Sequence, residues 1–530
     1  MEVQCIPFQQ VPQFSGKDVA YATGHPALRP FFKYDVSLES FADVIRDKQQ
    51  ASTDRDLLVR VLESQYATIP TKDAVRENIR ALASEHTFTL VTAHQPSLLT
   101  GPLYYIYKII STINLAKSLQ NRYPDYRFVP VFVSGGEDHD FEEVNHAHLF
   151  GKKLVWENSE SGAVGMMHTK SLQPVLEALQ EILGDGESSQ VLFERIKTAY
   201  TRHEIYSQAT IELVDSLFAD KGLIVLNMNH PELKRRFIPI MEAELFQQSS
   251  RALVEATQQE LQAAGFSGQA YVREINLFYL KEQLRERIIP EGETFRVHQT
   301  DIQFTAAQLR EELYQHPEHF SPNVVLRPLY QEYILPNLAY IGGGGEIAYW
   351  LERKRQFEHF GINFPMLVRR NSVLWLDKST TQRMEKLGLS TLDILGDTEE
   401  LIKSYVEKNS GSELDLSQEK DTMSSIFDQV LAKGLEIDPT LEKSILGERT
   451  KLINSFEQLE GKLMRAEKKK FETAINQIRS LKEKLFPDNG LQERHDNLLP
   501  YYLKYGATFF EILQDNLDPL QEGLVVVLDK

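Results

Sequence analysis

The chain has 530 residues, of which 42% are hydrophobic and 25% are charged, a composition typical of globular proteins. The formal net charge of −18 argues against a protein that binds nucleic acids or anionic membranes, because phosphate contacts require a basic surface. Cys5 is the single cysteine, which excludes an intramolecular disulfide and a multi-thiolate zinc site. The sequence contains no run of about 18 apolar residues, so it predicts no membrane span. We expect a cytoplasmic protein.

The first candidate site lies between a predicted strand and a predicted helix. An apolar run at Phe88–Val91 predicts the strand, and apolar residues at helical spacing after Pro102 predict the helix. In open α/β sheets such loops bind ligands, and the start of the helix favours anions. The polar and small residues of this loop are His94, Gln95, Ser97, Thr100 and Gly101. Either they bind a phosphate or a developing oxyanion, or they satisfy the backbone of a turn.

The second candidate site follows the next predicted strand, Arg127–Val133. A strand, a helix and a second strand form a βαβ unit, which predicts a parallel sheet with both polar loops at the same edge. The second loop contains two glycines followed by Glu137, Asp138, His139 and Asp140. These side chains indicate amine binding or base catalysis, and the alternative is an acidic helix start that complements the helix dipole. Because the spacing matches no standard set of metal ligands, we predict no metal.

A third candidate site is a run of four glycines, which precedes a predicted helix. A glycine loop before a helix is of the type that cradles phosphates. The loop therefore predicts nucleotide binding by Gly343, Gly344, Gly345 and Glu346. The run matches neither the P-loop pattern nor the dinucleotide-binding pattern. The alternative is tight packing of the loop against the helix.

A fourth candidate site is formed by Arg369, Arg370 and Asn371 within an apolar stretch. Paired arginines at the end of a strand can grip a carboxylate or a phosphate with two hydrogen bonds each. In an acidic chain the alternative is that both arginines form ion pairs with surplus carboxylates.

The sequence predicts three regions. Residues 1–376 form an α/β core with insertions at about 147–220 and 266–322. Residues 377–490 form a helical coiled-coil domain, because Leu452, Phe456, Leu459 and Leu463 follow a 4-3-4 spacing. Residues 491–530 are rich in aromatic side chains and are expected to pack back on the core.

Several long segments together resemble one known family. In chain order they are AHQPSLLTGPLYYIYKIISTINLAK, VPVFVSGGEDHDFEEVNH, GGGGEIAYWLE, VRRNSVLWLD and LQERHDNLLPYYLKYG. These segments resemble the bacillithiol biosynthesis cysteine-adding enzymes. The resemblance implies a Rossmann-like parallel-sheet core with connecting-peptide insertions, related to class I aminoacyl-tRNA synthetases. It also implies an α-helical coiled-coil domain that forms a homodimer. The loop His94–Ser97 stands where such synthetases carry an H-I-G-H signature, from which it differs.

The implied reaction joins L-cysteine to the amine of glucosaminyl-malate in the last step of bacillithiol biosynthesis. Activation of the carboxylate by ATP or another nucleotide is expected. We hypothesise that Asp138 and His139 act on the amine and its proton, and that His94 and Gln95 stabilise the developing negative charge together with Thr100 and Gly101. Substrate binding is assigned to Ser97, Glu137, Asp140, Arg369, Arg370 and Asn371, with either arginine holding the malyl carboxylates. The alternative is a non-catalytic ligand-binding or assembly module of the same thiol pathway.

Overall fold

The computed structural model describes residues 1–14, 16–410 and 415–530. The β-strands are β1 (Glu2–Ile6), β2 (Thr87–His94), β3 (Arg127–Ser134), β4 (His146–Leu149), β5 (Lys152–Val155), β6 (Ile224–Asn227), β7 (Leu277–Lys281), β8 (Leu284–Glu291), β9 (Thr294–Val297), β10 (Gln303–Thr305), β11 (Phe320–Pro322), β12 (Asn337–Gly342), β13 (Met366–Arg369), β14 (Ser372–Leu376) and β15 (Leu524–Leu528).

The α-helices are α1 (Gly16–Ala22), α2 (Phe41–Gln49), α3 (Arg55–Gln65), α4 (Asp73–Ala81), α5 (Leu103–Arg122), α6 (Phe141–Val144), α7 (Gln173–Leu183), α8 (Glu187–Arg202), α9 (Tyr206–Phe218), α10 (Pro231–Gln247), α11 (Ser249–Ala263), α12 (Ala306–Gln315), α13 (Arg327–Ile334), α14 (Gly344–Trp350), α15 (Lys354–His359), α16 (Lys378–Leu387), α17 (Thr391–Leu395), α18 (Thr398–Asn409), α19 (Ser417–Ile437), α20 (Glu442–Lys468), α21 (Glu472–Leu485), α22 (Leu499–Tyr505) and α23 (Thr508–Asn516).

The central sheet is parallel and has the strand order β13-β12-β2-β3-β6. Its strands are apolar along most of their length because helices cover both faces, as is usual for parallel sheets. The predicted βαβ unit is confirmed as β2, α5 and β3, with Thr87 paired to Arg127 and His94 paired to Ser134. This sheet is the predicted Rossmann-like core. The carboxyl ends of β2, β3, β12 and β13 therefore lie at one edge, where open α/β sheets bind ligands.

Two groups of elements depart from this core. Strands β4 and β5 form a hairpin that is followed by α7, α8 and α9. Strands β7 to β11 form an antiparallel sheet of order β10-β9-β8-β7-β11. These elements fall within the two predicted insertions. The second sheet matters for function because β8 and the loop after β11 reach the carboxyl edge of the central sheet.

A small third sheet joins the two ends of the chain. Strand β15 pairs antiparallel with β1 and parallel with β14. Strand β14 follows β13 closely and leads directly into α16, so this sheet connects the core to the helical domain. Its outer face packs with α16 to α18 and α21 in one apolar cluster. In the C-terminal segment, α23 also packs against α5.

The helical domain contains an antiparallel hairpin of α19 and α20. Lys420 pairs with Glu460 and Arg449 pairs with Asp428, which fixes the antiparallel direction. The predicted coiled coil is confirmed, with α19 packed against α20. In the part of the chain that the structure describes, no helix is long and apolar enough to cross a membrane.

The small sheet at the base of the helical domain gives a stability prediction. Leu524 begins β15 and is fully buried in the cluster shared with α16 to α18 and α21. Leu524→Ala should lower the free energy of unfolding by about 2–5 kcal/mol, because it leaves a cavity where these helices attach. Denaturant unfolding followed by tryptophan fluorescence measures this, since Trp375 lies in the neighbouring β14. The exposed Glu522→Ala is the control, and equal midpoints for the two variants would contradict the anchoring role of β15.

Candidate functional site

A cavity of about 450 Å³ opens at the carboxyl edge of the central sheet. It is bounded by the ends of β2, β3 and β12, by α13 and α14, and by the second insertion. The ionisable and aromatic side chains that line it are His94, Tyr104, Lys108, Glu137, Asp138, Arg285, Arg327, Tyr330, Glu346, Tyr349, Arg370 and Arg494. Gln95, Gly343 and Gly345 also line it.

The loops after β2 and β3 meet in this cavity, as the sequence predicts. The backbone N–H of Gly135 donates to the carbonyl oxygen of His94 at 2.7 Å. The side-chain amide of Gln95 donates to Asp138 Oδ2 at 2.9 Å. Parallel pairing through His94 and Ser134 brings the two loops side by side. The imidazole and the acidic cluster therefore face a common space.

His94 is held in its neutral form. Burial, followed by the positive charge of Lys108, lowers its pKa to about 3. Its Nδ1 accepts a hydrogen bond from the backbone N–H of Gln95 at 2.7 Å, so the proton of the neutral ring lies on Nε2. Nε2 lies 2.8 Å from the hydroxyl of Tyr104, and the two rings stack. In this arrangement the hydroxyl of Tyr104 accepts the Nε2 proton, so an oxyanion receives that proton only by displacing the hydroxyl.

Glu346 forms a buried ion pair with Lys108. The Lys108 ammonium lies 2.5 Å from Glu346 Oε2 and also donates to the carbonyl oxygen of Ala93 at 2.8 Å. Glu346 also accepts hydrogen bonds from the Tyr340 hydroxyl and the Gly343 backbone N–H. Burial raises the pKa of Glu346, but Lys108 and these hydrogen bonds outweigh it and lower the pKa to about 2. Glu346 therefore fixes the glycine loop to α5, whereas Gly343 and Gly345 line the cavity.

Asp138 is ionised and lies beside Arg285 of β8. Burial raises the pKa of Asp138, but the guanidinium of Arg285 and the hydrogen bond from Gln95 outweigh it and lower the pKa. Arg285 Nη1 lies 3.3 Å from Asp138 Oδ1 and donates to His139 Nδ1 at 2.5 Å. His139 is exposed at the surface beside the cavity. Its Nδ1 is occupied by Arg285, which favours Asp138 over His139 as the group that meets a substrate amine.

Glu137 lines the cavity from the same loop. It is paired with the buried Lys234, whose ammonium lies 2.5 Å from Oε1. Its Oε2 accepts from the hydroxyl of Ser321 at 2.9 Å. Asp140 lies at the exposed start of α6, away from the cavity. The acidic motif is thus divided: Glu137 and Asp138 turn inward, and Asp140 supports the alternative of an acidic helix start.

The two neighbouring arginines have different surroundings. Arg370 lines the cavity and forms two hydrogen bonds, at 2.8 and 3.1 Å, with the buried carboxylate of Glu493. Arg369 does not reach the cavity. Its guanidinium pairs with the buried Asp18 at 2.6 Å and lies between the rings of Phe8 and Phe14. The hypothesis that Arg369 holds the malyl carboxylates is corrected, because Asp18 holds its guanidinium outside the cavity.

Four more candidate residues lie outside the cavity. Asn371 is buried, accepts from Ser111 and donates to the carbonyl oxygen of Asp518, so it joins α5 to the C-terminal segment. Gly344 faces Asp18, where a Cβ would lie 2.2 Å from the carboxylate. Ser97 and Thr100 are buried in the turn before α5. Ser97 Oγ lies 3.5 Å from the carbonyl oxygen of Gln95, and Thr100 Oγ1 has no hydrogen-bond partner among the described residues.

Gly101 lies at a smaller adjoining cavity of about 300 Å³. Its φ of +60° is in the left-handed region, and a Cβ would lie 2.7 Å from the Cβ of Ser97, so glycine is required there. Asn497 holds this turn by donating to the carbonyl oxygens of Leu99 and Gly101. Gly101 therefore shapes the loop that presents His94.

Several cavity residues escape prediction from the sequence. Lys108 is the one charged residue in the first half of α5, which is otherwise mostly apolar, and this is a signal that could have identified it. Arg494 belongs to the segment LQERHDN, in which the pattern of charged residues does not indicate a binding site. Arg285 and Arg327 stand in segments without a recognisable motif. Arg285 reaches the site because the second insertion folds over the edge of the sheet, and Arg327 reaches it at the start of α13, shortly after that insertion.

The cavity is electropositive although the whole chain is acidic. Five cationic side chains and three carboxylates line it. Lys108 pairs with Glu346, Arg285 with Asp138, and Arg370 with Glu493. Among the residues that the structure describes, Arg327 and Arg494 have no carboxylate within ion-pairing distance, and the guanidinium of Arg327 donates to the hydroxyl of Tyr349. These two cations are available to an anionic ligand.

Comparison with known proteins decides the family. Residues 1–371 match the family model described as "Bacillithiol biosynthesis BshC, N-terminal Rossmann-like domain", and residues 373–528 match that of its C-terminal coiled-coil domain. The chain belongs to the bacillithiol biosynthesis BshC family. The resemblance found in the sequence segments is thereby confirmed, together with the Rossmann-like core and the coiled-coil domain of this BshC-family protein.

Curated relatives match this BshC-family chain along almost its whole length. One from Flavobacterium johnsoniae, named "Putative cysteine ligase BshC", is 38% identical over 99% of this chain and 100% of its own. Relatives of the same name come from Christiangramia forsetii and Cytophaga hutchinsonii. The first is 37% identical over 99% of each chain, and the second is 34% identical over 98% of this chain and 97% of its own.

The lowered pKa of His94 gives a prediction about pH. The folded protein keeps His94 neutral down to about pH 3, because its pKa is lowered there, whereas in the unfolded chain the imidazole takes up a proton near its ordinary pKa of 6.5. Protons are therefore bound by the unfolded state between these values, and this contribution to stability is lost as the pH falls. In His94→Gln the loss of stability from pH 7 to pH 5, measured by denaturant unfolding, should be smaller than in the wild type. His359→Gln, at an exposed histidine of α15, should keep the wild-type dependence.

Proposed function

We propose that the cavity joins L-cysteine to the amine of glucosaminyl-malate in the last step of bacillithiol biosynthesis, in the cytoplasm. Family membership supports a cysteine ligase. The hydrogen bond between Gln95 and Asp138 carries the assignment to this cavity, because it unites an oxyanion-stabilising loop with an amine-binding loop. Two charged substrates fit a site that offers both a carboxylate and unpaired guanidinium groups.

Activation of the cysteine carboxylate is the first requirement, since a carboxylate oxygen is a poor leaving group. ATP or another nucleotide transfers a phosphoryl or a nucleotidyl group to this oxygen and releases a nucleoside diphosphate or pyrophosphate. The oxygen then becomes part of a good leaving group. The surplus of positive charge in the cavity and the glycine loop at Gly343 and Gly345 support binding of a polyphosphate. The sugar amine then attacks the carbonyl carbon, the C–N bond forms, the C–O bond to the phosphorylated oxygen breaks, and the nitrogen loses a proton.

The chain's own side chains have complementary tasks in this proposal. The ionised Asp138 holds the amine and accepts its proton as the new bond forms. His94 and Gln95 stabilise the negative charge that develops on the carbonyl oxygen. For this, the oxygen replaces Tyr104 at the Nε2–H of His94 and Glu143 at the amide of Gln95. Arg327 and Arg494 take the role of holding the malyl carboxylates, since Arg369 lies elsewhere and Arg370 is already paired with Glu493.

The first prediction concerns the reaction itself. Mass spectrometry of the purified protein with glucosaminyl-malate, L-cysteine and ATP should show an amide product together with AMP or ADP. Asp138→Asn should lower the rate by about 100-fold or more, because the amide cannot accept the proton. Binding of glucosaminyl-malate with no consumption of cysteine would instead favour the non-catalytic alternative.

A second prediction concerns the malyl carboxylates. Arg327→Gln removes a charged hydrogen-bond donor worth about 1.5–3 kcal/mol, which should raise the KM for glucosaminyl-malate by about 10- to 100-fold. Steady-state kinetics with each substrate varied in turn measure this effect. The control is Arg355→Gln, which removes a surface ion pair with Glu260. An unchanged KM in Arg327→Gln would refute the assignment.

We also propose that the hairpin of α19 and α20 forms a homodimer. Large apolar side chains remain exposed along it, and burial against a second copy would remove them from water. They are Ile426, Val430, Leu435, Ile437, Leu446, Leu452, Leu459 and Leu463. Single exposed apolar residues scattered over a surface are normal, but here eight of them occur on one helical hairpin.

The dimer proposal predicts the effect of a single charge. Leu459→Glu places a carboxylate on the apolar stripe of α20 and should convert dimers to monomers in light scattering coupled to size-exclusion chromatography. Gln458→Glu adds the same charge at the neighbouring exposed position and should leave the dimer intact. A wild-type protein that elutes as a monomer at all concentrations would contradict the proposal.

A further inference from the structure

A cluster of histidine and carboxylate groups lies outside the central cavity, at the end of α12. Its members are His316, Glu318 and His319, and one possible ligand atom of each lies within 4.8 Å of the others. The turn that carries them joins α12 to β11 in the second insertion. The sequence predicts no metal in this chain, and the cluster departs from that expectation.

The spacing within the cluster matches a coordination sphere. His316 Nδ1 lies 3.2 Å from Glu318 Oε1. Two ligand atoms bound to a tetrahedral zinc ion at about 2.0–2.1 Å lie roughly 3.3 Å apart. The rings of His316 and His319 are nearly parallel, with centroids 4.9 Å apart. Because an imidazole nitrogen binds a metal in the plane of its ring, these rings must turn toward each other for both to meet one ion.

The surroundings of His319 orient it as a ligand. Its Nδ1 lies 2.7 Å from Glu312 Oε1, and the same oxygen accepts from the hydroxyl of Tyr279 at 2.6 Å. With the proton of the neutral ring on Nδ1, the lone pair of Nε2 is left for a metal. A carboxylate behind a histidine is the common outer-sphere partner of metal-binding imidazoles, because it fixes the tautomer and raises basicity.

We propose that His316, Glu318 and His319 bind a divalent transition-metal ion, with zinc as the best fit. Two imidazoles and one carboxylate are a zinc-type ligand set, whereas calcium and magnesium prefer oxygen ligands alone. The fourth position would be filled by water, since the side chain of His316 is 48% exposed.

The position of the site indicates a structural role for the ion. Phe320 follows the turn directly, and its carbonyl oxygen accepts from the ammonium of Lys234 at 2.7 Å. The next residue, Ser321, donates to Glu137, and the loop Pro322–Val324 lines the central cavity. A bound ion fixes the chain immediately before these residues. The proposal stands independently of the ligase reaction, because none of the three ligands lines that cavity.

The test is metal binding by the full-length protein prepared without a histidine tag. After removal of metal with a chelator, equilibrium dialysis against zinc and elemental analysis should give one zinc ion per chain. The double variant His316→Gln/His319→Gln should lose this ion. Cobalt added to the metal-free wild type should give the absorption of a tetrahedral site, which the double variant lacks. Zinc should also raise the melting temperature of the wild type alone.

A matched variant and a second substitution make the result decisive. His298→Gln removes a histidine from the same insertion and should retain the full zinc content. Glu318→Gln alone should weaken zinc binding at least tenfold, which tests the site if the double variant fails to fold. A wild type that binds no zinc, or a folded double variant that retains it, overturns the proposal.

Discussion

The parallel pairing of β2 with β3 is the constraint on which the site depends. Because both strands run in the same direction, the loops that follow them leave the sheet at the same edge and bond to each other. The Gly135–His94 backbone hydrogen bond and the Gln95–Asp138 side-chain bond fix their separation. A neutral imidazole, which donates a hydrogen bond, and an ionised carboxylate, which accepts a proton, are thereby held in one cavity.

Charge burial explains which cations remain available there. Removing a charged group from water costs several kcal/mol unless an opposite charge compensates it. The chain pairs Lys108 with Glu346 and Arg370 with Glu493 accordingly. The guanidinium of Arg327 is different, because it donates to the hydroxyl of Tyr349 and has no carboxylate partner among the described residues. An anionic ligand can supply the missing negative charge. An acidic protein can therefore present an electropositive cavity, since pairing removes selected charges and leaves others.

The cavity and the helical domain are connected through a short piece of backbone. Arg370 lines the cavity, and β14 begins two residues later and leads into α16. Glu493 accepts from Arg370 and also from the backbone N–H of Val373 in β14. Through β15 the same sheet includes both ends of the chain. The base of the coiled coil is thus built on the strand that follows a cavity arginine.

The sequence by itself determined the elements that depend on local pattern. Two apolar runs with a segment of helical spacing between them predicted the βαβ unit, and the spacing of the leucines predicted the coiled coil. Both predictions succeed because the periodicities of strands and helices are properties of neighbouring residues. The two polar loops and their common edge followed from the handedness and direction of such a unit. The long segments around them were specific enough to indicate the family.

Only the tertiary structure decided which candidates meet. Arg369 and Arg370 are adjacent in sequence, yet Arg369 pairs with Asp18 and Arg370 faces the cavity. Strand β13 ends at Arg369, and Arg370 belongs to the link to β14, where its direction depends on Glu493. Arg285 and Arg327 come from segments that are far from both loops in the sequence. The carboxylate of Glu346 forms an ion pair with Lys108 instead of standing free for a ligand. Such pairings depend on contacts between distant residues, which local periodicity does not encode.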